Sequence, residues 1–151
     1  MRVVLQRVSK GSVTVENQIV GQISRGYVIL LGIGHADTKQ TADKMADKII
    51  NLRIFNNDDG KFDLSLLDIN GEALVVSQFT LFADCKKGRR PNFTNAGKPD
   101  EASPLCDYFM DKLKTLGIKN VQGGIFGAHM DVDIHNDGPV TIILDSEQFG
   151  F

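Results

Sequence analysis

The stretch that decides the fold class is a continuous apolar run, Tyr27-Val28-Ile29-Leu30-Leu31-Gly32-Ile33. Its length and its β-branched residues are typical of a strand that is buried on both faces. Such a strand lies in the middle of a sheet, with further strands beside it and material packed above and below. We therefore expect residues 27–33 to form the centre of the fold.

Further strands are predicted on both sides of this run. Residues 3–8 and 13–15 alternate between apolar and polar side chains, a period of two that indicates half-buried strands. Residues 19–23 and 74–81 are mostly apolar, and 124–134 and 140–144 complete the strand candidates. The sequence Asn136-Asp137-Gly138-Pro139 predicts a turn between the last two.

Two helices interrupt the strands. Asp37, with Gln40 three positions later, predicts the start of a helix whose apolar side chains recur every three or four residues over 42–50. Ser103-Pro104 predicts the start of a second helix that ends near Gly117. Residues 84–104 are polar and predict a long surface loop. This order of elements predicts an α+β fold with an antiparallel or mixed sheet.

The composition excludes several classes of protein. A chain of 151 residues fits one domain, residues 1–151, and a net charge of −2 excludes a globally basic nucleic-acid binder. No apolar run approaches the roughly 20 residues of a membrane helix, and no signal peptide is expected. Cys85 and Cys106 lack the spacing of a disulfide or zinc framework, so we expect reduced thiols in a cytoplasmic protein.

Three patterns are candidates for chemistry. His129, Asp131, Asp133 and His135 share one strand face, but at about 3.3 Å per residue the two histidines lie roughly 20 Å apart. A solvated face is therefore favoured over a metal site, and no metal or cofactor is expected. Ser77 and Thr80 end an apolar strand, either as a nucleophile or as polar groups that satisfy local hydrogen bonds. The third pattern is the basic run Lys86, Lys87, Arg89 and Arg90, which is either a phosphate-binding patch or a solvated loop.

Two motifs together resemble the D-aminoacyl-tRNA deacylase family. They are Ser77-Gln78-Phe79-Thr80-Leu81 and Asn136-Asp137-Gly138-Pro139-Val140-Thr141. Residues 1–8, 89–93 and 126–130 also match, so the resemblance extends over essentially the whole chain. It implies a homodimer with a curved, barrel-like mixed or antiparallel sheet and two helices packed on it. It also implies hydrolysis of the ester between a D-amino acid, or mischarged glycine, and tRNA.

The resemblance implies a role for each motif. Ser77, Gln78, Phe79 and Thr80 would line the ester site, while a Gly138-cis-Pro139 unit from the partner subunit would reject L-amino acids. Main-chain N–H groups around Gln78 and Phe79 are candidate oxyanion donors, and Thr80 as a nucleophile is the competing proposal. Weaker candidates for the substrate pocket are Arg7, as an anchor of the incoming turn, and Phe126 and Met130. The basic run would bind tRNA.

Two other functions remain open from the residues alone. One is an RNA-binding module without catalytic activity that uses the basic run. The other is a metal-dependent hydrolase built on the strand face from His129 to His135. Deacylation in the presence of a chelator distinguishes the three hypotheses.

Overall fold

The computed structural model describes residues 1–151, and its main element is a six-stranded mixed sheet. The strands are β1 (Arg2–Val15), β2 (Gln18–Ile23), β3 (Gly26–Gly32), β4 (Phe55–Asn56), β5 (Phe62–Leu64), β6 (Glu72–Ser77), β7 (Val121–Gly123) and β8 (Asp131–Asp145). The helices are α1 (Lys39–Asn51) and α2 (Pro99–Thr115), with 3₁₀ helices at Phe79–Phe82 and Ser146–Phe149. Strands β4 and β5 form a separate small hairpin. No helix has both the length and the apolar composition that crossing a membrane would require.

Strand β1 organises the sheet because it pairs with three others. Strand β8 pairs with it along one edge from Arg2 to Thr14, while β3 and then β2 share the other edge. Strand β3 continues in parallel to β6, and β6 in parallel to β7. The sheet therefore curves into a nearly closed, barrel-like form. The α+β prediction, with a mixed sheet centred on residues 27–33, is confirmed.

Apolar side chains pack into two clusters on opposite sides of this curved sheet. The larger cluster joins β1 and β3 to both helices, and includes the fully buried Leu5, Ile29, Met45 and Phe109. The smaller cluster includes Val13, Val28 and Val76. Central strand β3 contributes to both clusters, as expected for a strand buried on both faces.

Gly26 is required by the close approach of β3 and β6. A Cβ at this position would lie 1.9 Å from the carbonyl oxygen of Glu72, which is backbone and cannot move aside. Any side chain here would separate the two parallel strands at their first paired residues.

The predicted starts of both helices are wrong. Helix α1 is capped by Thr38, whose hydroxyl accepts from the N–H of Thr41, because the Asp37 carboxylate instead accepts from the N–H of Gly34 at 2.7 Å. Helix α2 begins at Pro99, and Pro104 lies inside it. With this start, the helix includes the buried Ala102. Its first turn also carries acidic residues, which the helix dipole favours there. The long polar loop is shorter accordingly.

Three strand boundaries also differ from the sequence prediction. Strand β6 ends at Ser77, because the chain turns into a 3₁₀ helix after Gln78 rather than continuing to Leu81. Residues 124–130 precede β8 as a loop. The expected turn at 136–139 is a bulge inside β8, since Thr141 pairs with Gln6 while Asn136 pairs with Val8. Both halves of β8 therefore stay on β1, and the residues between them protrude.

Candidate active site

A pocket of about 680 Å³ opens where β6 ends. This volume lies within the usual range of about 300–1,000 Å³ for small-molecule sites. Its walls are the end of β6 with Gln78 and Phe79, the chain from Phe93 into helix α2, and the segment from Phe126 to Val132. The apolar residues Leu31, in β3, and Ile33, just after it, also line the pocket. The pocket therefore combines an apolar lining with a few polar groups at one wall.

The predicted ester-site residues lie together at that wall. Ser77, Gln78 and Phe79 line the pocket, whereas Thr80 is exposed beside it and accepts a hydrogen bond from Gln78 Nε2 at 2.6 Å. The backbone N–H of Gln78 donates to the Leu31 carbonyl at 2.8 Å, so it is not available as an oxyanion donor. Of the two proposed N–H groups, only that of Phe79 remains a candidate. It belongs to the first residue of a 3₁₀ helix, which has no partner within that helix.

No general base is paired with either hydroxyl. His35 lines the pocket, but its Nε2 donates to the Thr94 carbonyl at 2.8 Å. No side chain hydrogen-bonds to Ser77, and the only side-chain partner of the Thr80 hydroxyl is the Gln78 amide, which is not a base. Burial raises the pKa of the Cys106 thiol to about 12, so this cysteine is not a thiolate nucleophile at neutral pH. The pocket therefore lacks an activated protein nucleophile.

The basic run lies on a closed hairpin that immediately precedes the second wall in sequence. Asp84 and Asn92 exchange two backbone hydrogen bonds, of 2.7 and 2.9 Å, which close the intervening residues into what we call the basic hairpin. Its four cations are exposed, form no ion pairs and do not line the pocket. Just after the hairpin, the Phe93 ring meets Phe79 edge to face at 5.0 Å between ring centroids. The hairpin is thus attached directly to the ester-site segment.

The third wall contains two of the three weaker pocket candidates, both in the loop that precedes β8. Phe126 and Met130 line the pocket, together with Gly127 and Ala128. Met130 also packs against the smaller core cluster, whereas His129 is exposed with its Nε2 3.9 Å from Asp131. The alternation predicted for this face is therefore confirmed. No group of three or more metal-ligating side chains forms there or elsewhere.

Gly138 and Pro139 do not line the pocket of their own chain. They occupy the exposed bulge of β8, and the peptide bond between them is cis. Two side chains fix the bulge. Asn136 Oδ1 accepts from the Val140 N–H at 2.7 Å, and Arg7 Nε donates to the Asp137 carbonyl at 2.8 Å. We call residues 137–139 the Gly-Pro bulge; it is a protruding but firmly anchored feature.

Arg7 is buried beneath this bulge rather than in the pocket. Its Nη1 donates to the Ile54 carbonyl at 2.7 Å and to Asn56 Oδ1 at 3.0 Å. Burial raises the pKa of the neighbouring Tyr27, and the positive charge of Arg7 opposes that rise. Arg7 therefore anchors the bulge of its own chain. Its contact with an incoming turn stays a prediction.

Sequence reasoning missed part of the second wall. Thr94, Lys98 and Ala102 line the pocket, together with His35 from the loop after β3. The misplaced start of α2 accounts for the omission of Lys98 and Ala102, because it assigned residues 98–102 to a loop. The Lys98-Pro99 pair carries the same Pro-at-first-turn signal as Ser103-Pro104, so the sequence offers two candidate starts for α2.

Comparison with known proteins identifies the family. Residues 4–145 match the family model described as D-Tyr-tRNA(Tyr) deacylase. D-aminoacyl-tRNA deacylases of Clostridium perfringens and Fervidobacterium nodosum are 56% and 51% identical to this chain, and each alignment covers 98% of this chain and 99% of the relative.

Solved structures agree with the fold. The structure of a c-Myc DNA unwinding element binding protein superposes with a TM-score of 0.90 at 41% identity, covering 96% of this chain and 98% of that one. The structure of a probable eukaryotic D-amino acid tRNA deacylase has the same fold, with a TM-score of 0.82 at 19% identity, covering 95% and 97%. The chain therefore belongs to the D-aminoacyl-tRNA deacylase family of hydrolases, in agreement with the resemblance of its two motifs.

Proposed function

We propose that this deacylase is a chiral proofreading enzyme of the cytoplasm. It hydrolyses the esters of D-aminoacyl-tRNA and of mischarged glycyl-tRNA in the pocket beside Ser77–Phe79. It rejects L-aminoacyl-tRNA because the Gly-Pro bulge of a second copy enters that pocket, so the active form is a homodimer.

The observation that carries this proposal is the position of the Gly-Pro bulge. It is exposed, anchored by Arg7 and Asn136, and absent from the lining of its own pocket. A rigid protrusion of this kind is suited to contact another molecule. A group that selects between D and L esters must reach the pocket. The bulge does not reach the pocket of its own chain, so we infer that the bulge of a second chain enters it.

Selection by backbone groups of the bulge explains why many different D-amino acids, and glycine, would be accepted. Carbonyl groups of the Gly-Pro bulge would hold the α-ammonium and leave no volume on the L side of the α-carbon. An L side chain would clash, whereas a D side chain would point into the apolar pocket and glycine would have nothing to exclude. Steric exclusion discriminates more sharply than an apolar pocket, in which one methylene changes binding by about 1–3 kcal/mol.

Hydrolysis at this site would depend on positioning and oxyanion stabilisation. An aminoacyl ester is already activated by its α-ammonium group, so a strong nucleophile is not required. The Phe79 N–H is the candidate donor to the oxyanion, and the adjacent ribose hydroxyl of the tRNA would assist the attacking water. The absence of a base beside Ser77 or Thr80 disfavours a covalent intermediate on either hydroxyl.

A first experiment is a deacylation time course with D-tyrosyl-, L-tyrosyl- and glycyl-tRNA in excess chelator. We expect rapid loss of the D-tyrosyl and glycyl esters, while the L ester decays at the rate without protein. Hydrolysis of the L ester at a similar rate would exclude chiral selection. Dependence on metal would instead support the alternative built on the His129–His135 face.

A mixed-dimer experiment tests donation by the second copy. One chain carries Gly138→Ala, since a Cβ there would approach Val140 Cγ2 at 2.7 Å and Arg7 Nη2 at 3.1 Å and so displace the bulge. The other carries Met130→Trp to fill its pocket and keeps an intact bulge. Only the first chain's pocket can react, so restored rejection of L-tyrosyl-tRNA supports donation between subunits. Continued hydrolysis of the L ester in the mixed dimer contradicts it.

A further inference from the structure

The charges that line the pocket are unbalanced. Its ionisable side chains are Lys98, His35 and His129, and no carboxylate is among the lining residues. The substrate carries both a positive α-ammonium and, on the far side of the terminal ribose, a negative phosphodiester. A lining without acidic groups is suited to the phosphodiester rather than to the ammonium.

Lys98 is the one lysine or arginine among the lining residues. It forms no ion pair, and although it is the residue before helix α2, its side chain makes no capping hydrogen bond. The nearest carboxylates in sequence, Asp100 and Glu101, lie in the first turn of α2 and do not line the pocket. The fold therefore does not use the Lys98 ammonium group.

We propose that Lys98 binds the phosphodiester that joins the terminal nucleotide of tRNA to the preceding one. The inference rests on the proposed position of the ester at Ser77–Phe79. The ribose connects that ester to the phosphate, so the phosphate follows at another wall of the same pocket, and Lys98 lies on the wall formed by residues 93–99. Lys98 thus binds the last phosphate of the tRNA, whereas the basic hairpin, which lies outside the pocket, would contact phosphates farther from the ester.

A double-change experiment isolates this interaction. Steady-state KM and kcat are measured for D-tyrosyl-tRNA with its natural terminal phosphodiester and for the same tRNA with a neutral methylphosphonate there. In the wild type we expect the methylphosphonate to raise KM about tenfold, as for one charge-assisted hydrogen bond. Because this interaction is made equally in the ground and transition states, kcat should not change.

The variant Lys98→Met should remove the difference between the two substrates, since either change abolishes the same interaction. Its KM for the natural substrate should rise about tenfold, to the value that the wild type shows for the methylphosphonate, and its KM for the methylphosphonate should not change. Lys98→Arg should restore the tenfold ratio. Because the Lys98 side chain is exposed and makes no capping hydrogen bond, the change should not disturb folding. Lys61→Met is the matched control, because Lys61 is an exposed lysine outside the pocket lining.

Two results would overturn the proposal: equal KM values for the two substrates in the wild type, or an undiminished tenfold ratio in Lys98→Met. A parallel assay with L-tyrosyl-tRNA separates this question from the proposed chiral selection. Hydrolysis of the L ester would contradict the selector without affecting the ratio for the D substrates.

Discussion

Replacing Arg7 with methionine should both destabilise the protein and weaken its rejection of L-aminoacyl-tRNA. The guanidinium donates to the Ile54 carbonyl, the Asn56 side chain and the Asp137 carbonyl. The Ile54 hydrogen bond is buried, and leaving its carbonyl without a donor costs about 1–3 kcal/mol. The other two acceptors are partly exposed and can bind water, so each adds about 0.5–1 kcal/mol.

The expected loss is therefore about 3 kcal/mol in the free energy of unfolding. The ion pair with Asp137 adds little to this value, because that carboxylate is 49% exposed. Urea unfolding at pH 7 measures the loss, and both proteins must be compared at one concentration if they are dimers. The Gly-Pro bulge keeps Asn136 as its remaining anchor, so L-tyrosyl-tRNA should be hydrolysed measurably while the D ester still reacts.

Two matched variants control for charge and for loss of any arginine. Arg7→Lys keeps the charge but not the planar fork, so its stability should fall between those of the wild type and Arg7→Met. Arg53→Met removes an exposed arginine that pairs with Asp63, and should cost less than about 1 kcal/mol. A loss below about 1 kcal/mol in Arg7→Met would refute the anchoring role. Full rejection of the L ester by a destabilised Arg7→Met would refute the link from Arg7 to selectivity.

Three other changes test separate parts of the molecule. Thr80→Ala should deacylate the D ester within about tenfold of the wild-type rate in single-turnover assays, because no base is paired with the Thr80 hydroxyl. A loss of rate above about 10³-fold with normal tRNA binding would support Thr80 as a nucleophile. Replacing all four cations of the basic hairpin with alanine should weaken the salt dependence of tRNA binding. The slope of log K for binding against log salt should fall by about one for each phosphate that the hairpin no longer neutralises. An unchanged slope would show that the hairpin does not contact the tRNA. Hydrogen bonds from the Ser65 N–H and hydroxyl lower the pKa of Asp68, so the carboxylate stabilises the fold above its unfolded pKa of about 3.9. Asp68→Asn should therefore be less stable than the wild type at pH 7, the difference should shrink as the pH falls through the folded pKa, and a constant difference would contradict this cause.

Alternation and apolar runs predicted the sheet because they report burial directly. The run at 27–33 is the central strand, and the alternating face from His129 to His135 is exposed as expected. Sequence could not locate the helix starts, because two candidate starts lay within a few residues of each other in each case. Asp37 is used to close a turn on Gly34, which leaves the cap to Thr38, and only tertiary contacts reveal that choice.

The pocket was predictable only in part for the same reason. Ser77–Phe79 and Phe126 came from motifs, whereas Lys98 and His35 reach the pocket through chain segments that no periodic pattern marks. The bulge of β8 shows the limit most clearly. Asn136-Asp137-Gly138-Pro139 has the composition of a turn, and the pairing of both flanking segments with one long strand makes it a protrusion instead.

That protrusion links the stability of the fold to its chemistry. Strand β1 pairs with β8 on both sides of the bulge, and Arg7, which lies in β1 at the shift in register, holds the bulge from below. The fixture proposed to exclude L-amino acids is thus attached to the strand that organises the whole sheet. Steric exclusion requires a rigid selector, one that does not change conformation when an L-aminoacyl ester enters the pocket. A loop whose flanking residues were unpaired could change conformation to admit an L side chain. The bulge cannot do so easily, because both of its flanks are hydrogen-bonded to β1.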